Sequence, residues 1–167
     1  QLNNSNQKNL GKGLALLHQL SSINNPNKFG WETNGYIGAG PQSGGWESTW
    51  GDFFIEKRLK PQIVIAKKWG LIYEQWADSL IEITSYLNQH NPSPSIVHGD
   101  LWSGNAATLP DGRGVLIDPA ISWADREVDI AMTKLFGGFS LEFYREYENI
   151  WPLSKDAKDR IDIYNLY

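Results

Sequence analysis

From residue 8 to 21, "KNLGKGLALLHQLS", leucines recur every three or four positions. Leu10, Leu14, Leu17 and Leu20 therefore fall on one helical face, which predicts an amphipathic helix. Between Ile23 and Trp50 the periodicity disappears and Gly, Asn, Pro and Ser accumulate. Five aromatic residues there (Phe29, Trp31, Tyr36, Trp46, Trp50) point to a packed loop rather than a disordered one. Helical spacing returns over Gly51 to Lys68. It continues from about Leu71 to Gln89, where Ile72, Trp76, Leu80, Ile83 and Leu87 share a face and Pro92 and Pro94 follow as stops. "SIVH" (95–98) reads as a short strand. "AATL" and "GVLID" read as the arms of a hairpin turned by Asp111-Gly112. From Asp125 onward the pattern is helical again, with breaks near Gly137-Gly138 and Pro152. The predicted architecture is α+β, mostly α-helical, with a small β insertion in the middle.

Composition narrows the chemistry. The chain has 167 residues, 41% of them hydrophobic, with eight Trp and seven Tyr, enough for the buried core of one domain. Fifteen basic against nineteen acidic residues give a net charge of −4. That lacks the basic excess with which proteins neutralise nucleic-acid phosphates, so no nucleic-acid partner is expected. The absence of cysteine removes disulfides, thiolate metal sites and thiol catalysis. Three histidines (His18, His90, His98) are too few for a histidine-rich metal cage. His18, inside an apolar helix, reads as a core or interdomain residue. No apolar stretch suits a membrane helix and the N-terminus shows no signal-peptide pattern, so a cytoplasmic protein without a membrane partner is expected. The chain opens on Gln1 and closes in helix-like sequence, "RIDIYNLY", so both ends read as cuts in a longer chain.

The polar residues concentrate in "HGDLWSGN" (98–105) and "VLIDPA" (115–120). Their order is strand, loop with Asp100 and Asn105, hairpin, then Asp118 after an apolar strand. Protein kinases use a related spacing of His-x-Asp, Asn five residues later, and a further Asp after a strand. Phosphoryl transfer needs an acceptor hydroxyl held in line while its proton is accepted, which suits Asp100. Mg²⁺ prefers hard oxygen ligands, which the Asn105 amide and the Asp118 carboxylate supply. His98 fits an architectural role, bonding backbone to hold the loop. "GYIGAG" (35–40) and "GKG" (11–13) lack the order and context of phosphate loops and read as turns. "ADREVD" (124–129) suits either a helix N-terminus, which favours acids, or a functional role.

These segments, with "DREVDIAMTKLFGGF", "PLSKDAKDRIDIYNLY" and "GYIGAGPQ" before "WGDFF", resemble the fructosamine kinase (ketosamine-3-kinase) family from about Leu10 to Tyr167. The family is related to aminoglycoside phosphotransferases and has a protein-kinase-like fold. The Trp within "HGDLWSGN" separates it from its aminoglycoside and choline kinase cousins. The resemblance implies ATP- and Mg²⁺-dependent phosphorylation of a ketosamine hydroxyl, on a small molecule or a glycated protein. It implies Asp100 as the catalytic base, Asn105 and Asp118 as metal ligands, and His98 and Asp129 as supports of the catalytic loop. Trp102 and Asp125 would lie on the substrate side. Trp102 would pack on the sugar's apolar face or wedge the loop onto the helices behind it. Gly44 departs from the pattern, which has Asn there.

The resemblance covers the C-terminal, helical lobe of such a kinase. The glycine-rich loop, strand lysine and helix glutamate of an N-terminal nucleotide-clamping β lobe have no counterpart in residues 1–167, so this chain alone is expected to bind ATP poorly and to be inactive. The alternatives are a kinase for aminoglycosides, choline or homoserine, or a non-catalytic module that kept the lobe.

Overall fold

The computed structural model describes residues 7–70 and 76–167. Its architecture is mixed, with helices dominating and short strands between them. The first helix, α1 (Lys8–Ile23), follows the predicted boundaries but not the predicted face. Leu10, Leu14 and His18 are buried along with Gly11 and Ala15, whereas Leu17 and Leu20 are exposed. The reason is the neighbour. α1 packs against α6 (Leu141–Ile150) so closely that a Cβ on Gly11 would lie 2.2 Å from the Phe143 carbonyl oxygen. The face that fits is the one with the glycine, not the one with most leucines.

The segment between Ile23 and Trp50, expected as a packed loop, holds four strands of three residues each. They are β1 (Phe29–Trp31), β2 (Gly35–Ile37), β3 (Gly40–Gln42) and β4 (Gly45–Glu47). β2 and β3 make a small hairpin. β1 and β4 join β5 (Ser95–Val97) and β8 (Ser122–Ala124) in one antiparallel sheet of order β4-β1-β8-β5. The predicted hairpin forms from β6 (Ala106–Thr108) and β7 (Gly114–Leu116). The loop of interest therefore connects two different sheets, leaving β5 and entering β6, rather than sitting inside the hairpin.

The second helical region is one continuous rod. α2 (Trp50–Phe53) runs into a wide, π-type turn over Phe54–Leu59 and then α3 (Lys60–Ala66). Such a turn inserts an extra residue and rotates the following side chains relative to a regular helix. Of the helix expected over 71–89, residues 71–75, including Ile72, lie outside the described residues; α4 spans Ala77–His90 and buries Leu80 and Leu87. The C-terminal helices are α5 (Glu127–Phe136), α6 and α7 (Ala157–Tyr164), with breaks where Gly137-Gly138 and Pro152 predict them.

Phe29, Trp50, Phe53, Phe54 and Tyr164 form an aromatic cluster with ring centroids 5.3–5.8 Å apart. Each such buried side chain contributes about 1.5–3 kcal/mol of transfer free energy. α7 is fastened to α5 by a buried, two-pronged ion pair, Arg160 to Glu127 at 2.7 and 2.8 Å. Among the described residues no helix is long and apolar enough to cross a membrane.

The α1–α6 contact gives a test. At an exposed helix position alanine is favoured over glycine by about 1 kcal/mol. Gly11→Ala is instead expected to lower stability by about 1–3 kcal/mol, because the added methyl has no room. A lower urea midpoint is the predicted reading; a higher one would show that the two helices are not in this contact.

Candidate active site

The loop after β5 is held from behind by a buried carboxylate. Asp129, on the first turns of α5, accepts hydrogen bonds from the backbone amides of His98 (2.8 Å, to Oδ2) and Gly99 (2.8 Å, to Oδ1). His18 of α1 bonds Oδ2 at 3.0 Å, and its other ring nitrogen meets the Tyr147 hydroxyl at 2.9 Å. Burial pushes the Asp129 carboxyl up. The hydrogen bond and charge of His18 together with the two amides outweigh that and hold it below its usual value. Gly99 has φ +80°, and a Cβ there would lie 2.3 Å from the Ala120 carbonyl oxygen. Only glycine allows the loop to pass this close to the strand leading to β8.

His98 braces the loop from the front. Its Nε2 lies 2.7 Å from the Ile117 carbonyl, and its Nδ1 accepts the Asp100 amide at 3.3 Å. The first bond requires a proton on Nε2 and the second a lone pair on Nδ1, so the two contacts select one tautomer. The Ile117 amide in turn donates to the Asn105 carbonyl at 3.0 Å. The residue before Asp118 is thus tied to both ends of the loop.

Asp100 and Asn105 meet directly. Asn105 Nδ2 donates to the Asp100 carbonyl at 2.9 Å and to Asp100 Oδ2 at 3.1 Å. Both partners are acceptors, so the amide nitrogen must face them and Oδ1 faces away. Among the described residues, Asn105 Oδ1 and Asp100 Oδ1 accept no hydrogen bond. Asp118 is exposed and adopts φ +53°, a left-handed conformation that Asp tolerates better than most side chains. Partial burial raises the Asp100 carboxyl above its usual value. His98 and the Asn105 bond act against that, and the charges of Asp118 and Asp129 add to it. Asp100, Asn105 and Asp118 are therefore one electrostatic neighbourhood, with unclaimed oxygens on the first two and an exposed carboxylate on the third. Hard oxygens of this kind suit Mg²⁺.

The two residues expected on the substrate side separate. Trp102 is 43% exposed, and its indole lies across Gly104. Asp125 is 1% exposed, and both of its carboxylate oxygens are bonded within the protein. Oδ2 accepts the Tyr164 hydroxyl at 2.6 Å and contacts His90 Nε2 at 3.0 Å, while Oδ1 accepts the Glu127 amide at 3.0 Å. Those bonds overcome the burial that would raise it and hold the Asp125 carboxyl low. His90, Asp125 and Glu127 have ligand atoms within 4.8 Å of one another. With Glu127 bound to Arg160, their oxygens serve hydrogen bonds and an ion pair, and the group braces the β8–α5 junction. His18 is the supporting residue that sequence reasoning placed in the core without a role. Its signal was an imidazole in the Leu10–Leu14–His18 register.

The Asp129 network predicts a pH dependence. A carboxyl held low in the folded state stabilises it above the ordinary Asp range of about 4, and that stabilisation is lost as pH falls through the folded-state value. Asp129→Asn should therefore cost about 3–5 kcal/mol near neutrality, and the penalty should shrink in acid. Urea unfolding of both forms at neutral and at acid pH measures it, and an equal penalty at both would contradict the assignment.

Comparison with known proteins bears on the chain as a whole. The family model described as Fructosamine kinase matches residues 1–167. The chain is 42% identical over 158 residues to a protein of Synechocystis sp. described as a probable ketoamine kinase, covering 95% of the chain and 52% of that protein. A probable ketoamine kinase of Vibrio parahaemolyticus is 42% identical over 162 residues, covering 97% and 55%. A crystal structure assigned as a fructosamine-3-kinase from Haemophilus somnus superposes with a TM-score of 0.89 at 35% identity, covering all of this chain and 55% of that one. The chain spans about half the length of the relatives it matches. It belongs to the fructosamine kinase family.

Proposed function

We propose that the complete protein transfers the terminal phosphoryl group of ATP to a sugar hydroxyl of a ketosamine. In this reading residues 1–167 are the catalytic-loop lobe of a kinase-like fold, and the nucleotide-clamping β lobe belongs to the remainder of the protein. The observation that carries it is the pairing of Asp100 with Asn105 on a loop fixed by Asp129, with Asp118 tied alongside. Membership of the fructosamine kinase family supports the substrate class.

Asp100 Oδ1, free of protein partners, orients the acceptor hydroxyl and takes its proton. The acceptor oxygen forms its bond to the γ-phosphorus while the bond to ADP breaks. Asn105 Oδ1 and the Asp118 carboxylate would hold Mg²⁺, which when bound neutralises charge on the phosphate oxygens. The exposed indole of Trp102 offers an apolar face to the sugar. His98 and Asp129 position the loop without touching the reactants. The reading includes a cytoplasmic location, and in it this chain alone, without the β lobe, binds ATP poorly.

The direct test supplies the complete protein with MgATP and a panel of ketosamines, aminoglycosides and choline. Phosphorylation of ketosamines is the expected result; turnover of only the other acceptors would replace the substrate assignment. Asp100→Asn is expected to lower kcat by about 100- to 10,000-fold while the folded state persists, since the change is isosteric. Near-normal turnover would remove Asp100 from the reaction. Asn105→Ala should raise the Mg²⁺ concentration needed for half-maximal rate, and an unchanged Mg²⁺ dependence would remove Asn105 from the metal site.

A further inference from the structure

Arg58 is a buried cation whose donors are only half used. It sits on the wide turn between α2 and α3, is 5% exposed, and lies over the Phe53 ring at 4.5 Å. Its Nη1 donates to two backbone carbonyls, Ser43 at 2.8 Å and Lys57 at 3.1 Å. Among the described residues no carboxylate faces it, and its Nη2 and Nε have no acceptor. The two other buried arginines are treated differently. Arg160 is paired with Glu127, and Arg126 spends both Nη atoms on three oxygens. A buried charge left this way is costly unless something completes it. Burial lowers the Arg58 pKa to about 10, so the guanidinium remains charged at neutral pH.

The unused donors are not sealed in. No buried side-chain nitrogen or oxygen among the described residues lacks a partner, so Arg58 Nη2 and Nε reach open space. Arg58 borders a cavity of about 90 Å³ with Asn34, Gln42 and Ser43 on one side and Pro119 and Ala120, directly after Asp118, on the other. Gly44 packs against Thr33 and Asn34, which line this cavity. Its amide donates to Asn34 Oδ1 at 2.9 Å, and a Cβ would lie 2.4 Å from the Thr33 carbonyl oxygen, so any side chain here would push the wall outward. The same guanidinium also lines a narrow crevice with Gly99 and Tyr167. The Tyr167 phenol accepts Gln42 Nε2 at 3.4 Å, and the charges of Arg58 and Asp100 both act on it. Arg58 thus borders two cavities, one walled by Gly99 of the catalytic loop and the other by Pro119 and Ala120 after Asp118.

We propose that Arg58, assisted by Gln42, receives a carboxylate of the phosphoryl acceptor, namely the α-carboxylate of a ketosamine formed from a free amino acid. This rests on the ketosamine kinase reading. Two free N–H groups in a planar fork match a carboxylate, and the pairing removes the buried unpaired charge. The cavity, about 90 Å³, is large enough for a carboxylate. In an amino-acid ketosamine the carboxylate is separated from the sugar by only the amine and one carbon. A lysine side-chain adduct on a protein has no carboxylate there. The acceptor selected by this cavity is therefore a small, acidic ketosamine.

The test uses the complete protein with two acceptors, the fructose ketosamine of valine and that of valinamide, which differ in one charge. Wild-type kcat/KM should favour the acid by about 30-fold or more, the range for a desolvated charge pair. Arg58→Met should bring the acid-to-amide ratio close to one, and Arg58→Lys should restore part of it. Equal turnover of the two by the wild type would overturn the assignment without any variant. So would a Met variant that keeps the ratio while losing rate, since a purely structural arginine does not set that ratio. Calorimetric titration of the same two compounds separates the readings. If neither is phosphorylated, the proposed reaction falls, while tighter binding of the acid still supports the Arg58 site and equal binding overturns it.

Discussion

The buried carboxylate of Asp129 is the constraint on which the candidate site depends. A charge taken out of water is tolerable only when its oxygens are fully bonded. Here the donors come from three separate places: the loop amides of His98 and Gly99, the α1 imidazole of His18, and, through that imidazole, the Tyr147 hydroxyl of α6. None of these is near Asp129 in sequence. Satisfying the charge therefore requires that α1, α5, α6 and the end of β5 be in register together. The backbone path of the loop is set by the same event that closes the helical core.

Four residues earlier Asp125 repeats the device in another direction. It bonds the first turn of its own helix, the α4 terminus through His90 and α7 through Tyr164. Tyr164 also accepts the indole N–H of Trp50 at 2.9 Å, which links this junction to the aromatic cluster beneath the β1–β8 sheet. The N-terminal region of α5 is thus pinned on two sides, toward the loop by Asp129 and toward α4 and α7 by Asp125. The preference of helix N-termini for acids explains why carboxylates gather here. Their different partners explain why neither has a free oxygen.

What could be read in the sequence was what is local. Helix positions followed from three- and four-residue spacing, and the Asp100–Asn105 pair from a five-residue interval within one loop. Asp118 was legible because it follows an apolar strand. Strands of three residues give hardly more than one alternation, so β1 to β4 and β8 carry no periodic signal. Their existence depends on partners such as Gly30 with Trp123, far apart in the chain. The buried face of α1 was misread for a similar reason. Leucine spacing describes one helix, whereas the close approach at Gly11 belongs to α6. His18 and Arg58 escaped for want of any local mark: one acquires meaning from Asp129 across 111 residues, the other from what does not face it.

The distribution of satisfied and unsatisfied polar atoms separates scaffold from site. Asp125, Asp129, Glu127 and Arg160 are buried ions whose partners are all protein. Among the described residues, Asp100 and Asn105 each keep an oxygen without a donor, Asp118 holds an exposed carboxylate on a left-handed backbone, and Arg58 keeps two nitrogens without an acceptor. Among the described residues no buried side-chain polar atom is orphaned, so these open valences are not slack in the packing. The acids lie on the loop and just after the hairpin, and Arg58 borders cavities walled by Gly99 of that loop and by Pro119 after Asp118. On the proposed function, the acceptor would bring its hydroxyl to the loop and an anion to Arg58. On that reading the loop bears on the reaction, whereas the charge of Arg58 bears on what is held in place for it, so the two features constrain the acceptor independently.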